Sequence, residues 1–220
     1  MGEPRETSTG RDQPQIATEL GQLAIEHQEI EHKFLVAEDF DRATFRRTLE
    51  AMGPGRRVAL VVRDTYFLLD GDRPLVYRHR YDEELQELTV KSLGNDAAVR
   101  LEVNLDLGHH RGDQLATTRA FLEAHGIAWQ DTVHKDIEVF HFDDCEVVYY
   151  RAWTAERTLY CVEFEAVHKP SLDEAFAVLD RYQRATGFES LAREPRSLPQ
   201  LIFPQVFSAS GSVIPGANTP

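Results

Sequence analysis

The sequence predicts an α+β fold: an eight-stranded antiparallel β-barrel with helices packed against its outside. Three observations predict it. Segments of strand length alternate strictly between charged and apolar or ring-bearing residues, the period-2 signature of a strand whose side chains point to opposite faces. These segments come in two sets of about four, each set followed by a helix-like stretch. And the polar positions are nearly all Glu, Arg and Lys in closely spaced pairs, whereas the wet face of a one-sided sheet is usually mixed with Thr, Ser and Gln. A sheet curled into a barrel accommodates this. Its charged faces line a lumen and its apolar faces meet the helices. Eight strands enclose a space that side chains or one small ligand can fill.

Each element can be justified in order. Ile25 to Ala37 holds the first strand, in which Glu29, Glu31 and Lys33 share one face and Ile30, His32 and Phe34 the other. Asp39 to Met52 reads as a helix, with Phe40, Ala43, Phe45, Leu49 and Met52 at roughly helical spacing and Gly53-Pro54-Gly55 as its stop. Arg56 to Leu69 is strand, followed by a turn at Asp70-Gly71-Asp72. Leu75 to Tyr81 sets Arg78 and Arg80 opposite Tyr77, His79 and Tyr81. Leu85 to Leu93 sets Thr89 and Lys91 opposite Leu88 and Val90, and Ala98 to Leu107 sets Arg100, Glu102 and Asn104 opposite Leu101, Val103 and Leu105. Asp82-Glu83-Glu84 and Gly94-Asn95-Asp96 supply the turns between them.

Asp113 to His125 reads as a second helix, capped by Asp113 and closed by Gly126. Three more strands follow, Trp129 to Phe142, Cys145 to Thr154 and Thr158 to Val167, the last carrying Glu163-Phe164-Glu165. Ser171 opens a third helix through the capping box Ser171-x-x-Glu174, and Gly187 ends it. The domain plan is therefore a polar, disordered segment over 1–22, a barrel domain over 23–190 and a Pro-rich tail over 191–220. Within the tail, Leu198 to Phe207 is expected on the domain surface and the last ten residues loose.

Composition narrows the function. With 24 Lys and Arg against 37 Asp and Glu, the formal charge of the 220-residue chain is −13. This disfavours nonspecific binding to nucleic acid or to a membrane surface, both of which need a basic field. Phosphate ligands stay open, because a local basic cluster can outweigh the global sign. No apolar run approaches the roughly 18–20 residues of a membrane-spanning helix, and no charged-then-apolar N-terminal pattern predicts export. Cys145 and Cys161 read as buried, reduced thiols, so a cytoplasmic location is expected. His109-His110 lacks partners at ligand spacing, and His134 and His141 read as packing or surface residues.

Glu29-Ile30-Glu31-His32-Lys33 matches the E-x-E-x-K signature that opens the CYTH, or triphosphate tunnel metalloenzyme, superfamily. The downstream order also matches: Arg78 and Arg80, then Lys91, then Arg100-Leu101-Glu102, then Glu163-Phe164-Glu165. The chain resembles that family from about Glu29 to Gly187. It departs from the family pattern at Ile137, where the second member of a K-x-R pair would stand after Lys135, at Asn104, the third position of an R-x-E-x-E pattern, and in Val147 to Arg151, where an acidic residue is common.

The resemblance implies a triphosphate tunnel that works with a divalent metal, Mg²⁺ or Mn²⁺. Lys33, Arg78, Arg80, Lys91, Arg100 and Lys135 would hold phosphoryl oxygens, the arginines two at a time. Glu29, Glu31, Glu102, Glu163 and Glu165 would hold the metal, a hard cation that prefers carboxylate and phosphate oxygens. Glu29, Glu31 and Lys33 are the catalytic candidates. The activity expected is hydrolysis of an inorganic or organic triphosphate. The alternatives are a class IV-type adenylyl cyclase and a non-catalytic phosphate-binding module. A covalent nucleophile is neither evident nor required, because phosphoryl transfer needs mainly positioning and charge stabilisation. The expected partner is a small-molecule triphosphate; a homodimer is left open.

Overall fold

The computed structural model describes residues 28–70, 75–93, 98–167 and 171–207. The disordered N-terminal segment, the turns at Asp70-Gly71-Asp72 and Gly94-Asn95-Asp96, and the loose last ten residues expected from sequence fall wholly or partly outside them. The element order is β1 (Gln28–Val36), α1 (Arg42–Ala51), β2 (Arg56–Leu69), β3 (Leu75–Tyr81), β4 (Gln86–Ser92), β5 (Val99–Asp106), α2 (Leu115–Glu123), β6 (Ile127–His141), β7 (Cys145–Trp153), β8 (Thr158–Ala166), α3 (Leu172–Thr186) and α4 (Leu198–Ile202).

The strands close into a single antiparallel barrel in the order β1-β5-β4-β3-β2-β6-β7-β8. The two expected halves are four-stranded meanders, but the first strand of the chain completes the second one. β1 pairs with β8 from Glu31↔Glu165 to Val36↔Tyr160 and meets β5 only over Gln28↔Leu101 to Ile30↔Val99. The long strands β2 and β6 join the halves through a ladder that runs from Arg56↔His141 to Leu69↔Ile127.

The period-2 pattern explains the two cores. Outward-facing Ile30, Phe34, Phe140 and Phe164 pack under α1 and α3. Phe188, just past the Gly187 cap, lies 5.1 Å from the Phe34 ring and 5.4 Å from Phe164. His32 stacks on Phe176 of α3 at 5.8 Å, and its Nδ1 meets Gln183 Nε2 at 2.7 Å, so a polar ring on the apolar face finds partners there. Ser171 caps α3 as expected, accepting from Glu174 N, and Gly187 ends it in the left-handed conformation at φ +80°. α1 starts later than expected, with Asp41 accepting from Thr44 N. α2 is shorter too. Its N-cap is Gln114, and Asp113 instead accepts from Leu115 N at 2.9 Å.

The second core lies inside one end of the barrel and corrects an expectation. Leu198, Ile202, Phe203, Val206 and Phe207 are buried, not spread on the surface. They pack against Leu68, Val76, Trp129 and Ala152, residues on the lumen parity of their strands. The Pro-rich text around α4 hides an apolar spacing of three to four residues. Pro199 sits in the first turn, where a missing N–H costs nothing.

Among the described residues no helix is long and apolar enough to cross a membrane. Both cysteines are free and buried.

Candidate functional site

One cavity of about 270 Å³ lies inside the barrel, and every site residue expected from sequence lines it: Glu29, Glu31, Lys33, Arg78, Arg80, Lys91, Arg100, Glu102, Lys135, Glu163 and Glu165. Strand parity places them there. Because all eight strands contribute alternate residues, cations and carboxylates from strands distant in sequence interleave. Each cation is held by a carboxylate, which solves the folding problem of packing like charges together.

Three groups can be distinguished. On β1, Lys33 Nζ lies 3.1 Å from Glu31 and 3.0 Å from Glu163 of β8. Arg100 of β5 reaches the same Glu31 oxygen at 2.6 Å. Burial pushes the Glu31 carboxyl up, but Lys33, Arg100 and Lys91 outweigh it and hold it at about 2. Lys33 is likewise desolvated, and Glu163 and Glu31 reverse the effect and raise it above the usual ammonium range. The Tyr150 hydroxyl donates to Glu163 at 2.7 Å.

The second group is Lys91, which bridges Glu29 at 2.8 Å and Glu102 at 2.6 Å. Arg78 donates to Glu87 at 2.8 Å and to Thr89 Oγ1 at 3.0 Å. Glu102 is held at about 2 against its burial by Lys91 and Arg78. Glu29 goes the other way. Burial, aided by Glu31 and Glu102, pushes it up to about 7 although Lys91 opposes. Glu165 is also raised well above the carboxylate range, by burial and by Glu29 and Glu31. This side of the lumen therefore holds more carboxyl groups than burial and the neighbouring cations let stay ionised.

The third group centres on Asp64 of β2, a residue that the sequence reading did not single out. Asp64 is fully buried and holds Arg80 through two bonds and Lys135 at 2.6 Å. Burial, followed by the charges of Arg80 and Arg78, outweighs the pull of Asp64 and lowers Lys135 to about 8. Glu87 and Tyr150 were also missed. The only trace of Asp64 in the sequence is a lone acid within β2; that it faces Arg80 follows from the β2–β3 pairing, which the sequence pattern does not reveal.

The expected metal ligands are brought together around the cavity, but with cations between them. Among the described residues no three His, Cys, Asp or Glu side chains form a ligating group. The donor chemistry nonetheless fits a hard cation. Glu29 Oε2 is buried with no hydrogen-bond partner among the described residues, and the Glu29 and Glu165 carboxyls are pushed towards protonation. A divalent ion would relieve both conditions. Of the expected set, Glu31 and Glu163 are engaged by Lys33 and Glu29 and Glu102 by Lys91, so a metal would share these carboxylates with the lumen cations.

No known family model and no curated protein matches the sequence. Solved structures do match. The PH1012 protein of Pyrococcus horikoshii superposes with a TM-score of 0.63 at 18% identity, over 79% of this chain and 99% of that one. A candidate adenylate cyclase from Bacillus halodurans gives 0.51 at 17%, over 80% and 99%. HpAC1 from Hippeastrum, a candidate adenylyl cyclase with a dominant triphosphatase activity, gives 0.53 at 13%, over 86% and 97%. The chain has the triphosphate tunnel fold. The resemblance carried by Glu29-x-Glu31-x-Lys33 is thus met by the architecture, with that motif on the strand that closes the barrel.

Proposed function

We propose that this tunnel binds a triphosphate and, with Mg²⁺ or Mn²⁺, hydrolyses one of its phosphoanhydride bonds. The observation that carries the reading is the convergence of Lys33, Arg78, Arg80, Lys91, Arg100 and Lys135, all buried or half-buried, on one small cavity. A soluble fold has no structural need for so many desolvated cations, and a polyanion replaces the carboxylates that neutralise them. The volume, about 270 Å³, falls just below the usual range of ligand pockets, roughly 300–1,000 Å³, which suits a short phosphate chain better than a whole nucleotide.

Glu29, Glu102 and Glu165 would hold the metal, which would neutralise charge on the phosphate oxygens and orient the scissile group. The chain's own cations grip and align the phosphoryl groups, and Glu31, Glu163 and Asp64 fix their positions. The chemistry is positioning and charge stabilisation. Cys161 is no nucleophile, since burial pushes its thiol up to about 12. The dominant triphosphatase activity of HpAC1 favours hydrolysis over cyclisation.

The test is to supply tripolyphosphate or ATP with Mg²⁺ or Mn²⁺ and measure phosphate release beside cyclic-nucleotide formation. Phosphate release without cyclic product supports the hydrolase. Cyclic product identifies a cyclase, and binding with neither product identifies a non-catalytic module.

A further inference from the structure

The two ends of the lumen are unlike. At one end the wall carries Glu29, Glu102, Asn104, Glu146 and Glu165, and Asn104 is exposed. At the other the inward positions turn apolar, with Leu68, Val76, Trp129, Ala152 and Cys161. Into that end fits the C-terminal segment. Trp129 meets Phe203 edge-on at 4.9 Å and Phe207 at 6.1 Å. Ser197, Leu198 and Pro199 line the same cavity as the charged residues, so α4 forms its bottom surface.

The segment is fastened to the site itself. Glu194 N donates to the Lys33 carbonyl at 2.7 Å, Arg100 Nη2 donates to the Pro195 carbonyl at 3.0 Å, and Arg157 donates to the Leu201 carbonyl. Two of the gripping residues, Lys33 and Arg100, therefore hold the floor in place as well as facing the cavity.

We propose that α4 and the turn after it make the lumen blind-ended, so that a phosphate chain is taken only by a free end. This rests on the tunnel being a triphosphate site and narrows its substrate class: linear phosphates with a free terminal phosphoryl group. That terminal group goes deepest, towards the floor. An apolar floor offers charged phosphates no second way out, so whatever is attached to the chain stays outside the acidic mouth, and products leave by the way the substrate came. Cyclic phosphates and internal stretches of a long chain are excluded.

Two measurements on the full chain test this. The first needs no phosphate. Cys161, on the wall of β8, packs with the floor residues and is fully buried; it should resist a small water-soluble thiol reagent in the native protein and react on unfolding. A Cys161 that reacts natively as fast as an exposed thiol would overturn the closed floor. The second is titration calorimetry with Mg²⁺ present. Linear tripolyphosphate should bind, trimetaphosphate should not compete, and long-chain polyphosphate should take up no more than one protein per chain end, with binding abolished when both ends are capped. End-capped chains that bind as tightly as uncapped ones, while tripolyphosphate also binds, would overturn this inference and leave the triphosphate reading standing. No binding of tripolyphosphate would overturn the triphosphate reading, and end-only uptake with it.

Discussion

Asp64 and Arg80 face one another across the β2–β3 register and are joined by two parallel bonds, Nε to Oδ1 at 2.9 Å and Nη2 to Oδ2 at 3.0 Å. The carboxylate also takes Lys135, so one buried anion holds two cations. It keeps the two cations proposed to grip phosphate aimed and tolerable in the ligand-free protein.

Asp64→Asn should therefore destabilise the ligand-free protein by about 3–5 kcal/mol, the usual cost of stripping a partner from a buried ion pair. A polyanion can restore the lost charge balance. Thermal unfolding with and without tripolyphosphate should show a larger ligand-induced rise in Tm for the variant than for the wild type. Equal rises would mean that Asp64 does not serve the grip.

Arg80→Ala should weaken tripolyphosphate binding by roughly 1.5–3 kcal/mol, the scale of a hydrogen bond to a charged group. Isothermal titration measures this directly, and monophosphate is the control, since it cannot span Arg78, Arg80 and Lys91 together. Equal affinity for both phosphates would assign the basic wall to folding alone.

Glu29→Gln and Glu31→Gln should part company. Glu31 anchors Lys33 and Arg100, so its loss should cost stability, about 3–5 kcal/mol, and loosen the grip at every metal concentration. Glu29 sits near half-protonated at neutral pH. Glu29→Gln should leave Tm within a few degrees of wild type and raise the metal concentration needed for half-maximal phosphate release. A metal profile unchanged in Glu29→Gln would remove it from the metal set.

Two groups set the pH response. Metal must displace the proton from Glu29, so metal affinity should rise as pH passes about 7. Lys135 grips phosphate only when protonated, so tripolyphosphate affinity should fall as pH rises past about 8. The stability sign follows from the same depression. Between about 8 and the model-compound value of 10.5 the unfolded chain holds the extra proton, so this residue's contribution to stability rises with pH across that window. Lys135→Met should abolish the alkaline fall in affinity. A pH profile identical in wild type and Lys135→Met would mean that another group titrates there.

The residues that converge on the lumen were legible because a strand reports its faces by parity, and Glu29, Glu31 and Lys33 cannot share a face in any other regular structure. Barrel closure was legible from the same charged faces, which no one-sided sheet explains. Asp64, Glu87 and Tyr150 were not, because parity tells nothing of which strands become neighbours. Asp64 gains its meaning only from the pairing Asp64↔Arg80. Leu198 to Phe207 misled for a different reason. Prolines signal a broken backbone, and their number obscured an apolar face whose partners are the inward positions at the ends of β2, β3, β6 and β7.

The place of β1 in the ring has a consequence in time. During synthesis Glu29, Glu31 and Lys33 leave the ribosome first, but the ladder that holds them, Glu31↔Glu165 to Val36↔Tyr160, needs the last strand of the barrel. The β2–β5 meander can form from local pairings, while β1 has only its short pairing with β5 to lean on and its long edge stays bare, and closing so long a loop is slow. An edge strand in that state is open to the wrong partner, and its charges discourage such pairing until Glu163 and Glu165 arrive. The strand that opens the sequence is then the one that shuts the ring, and the cavity comes into being only at that moment.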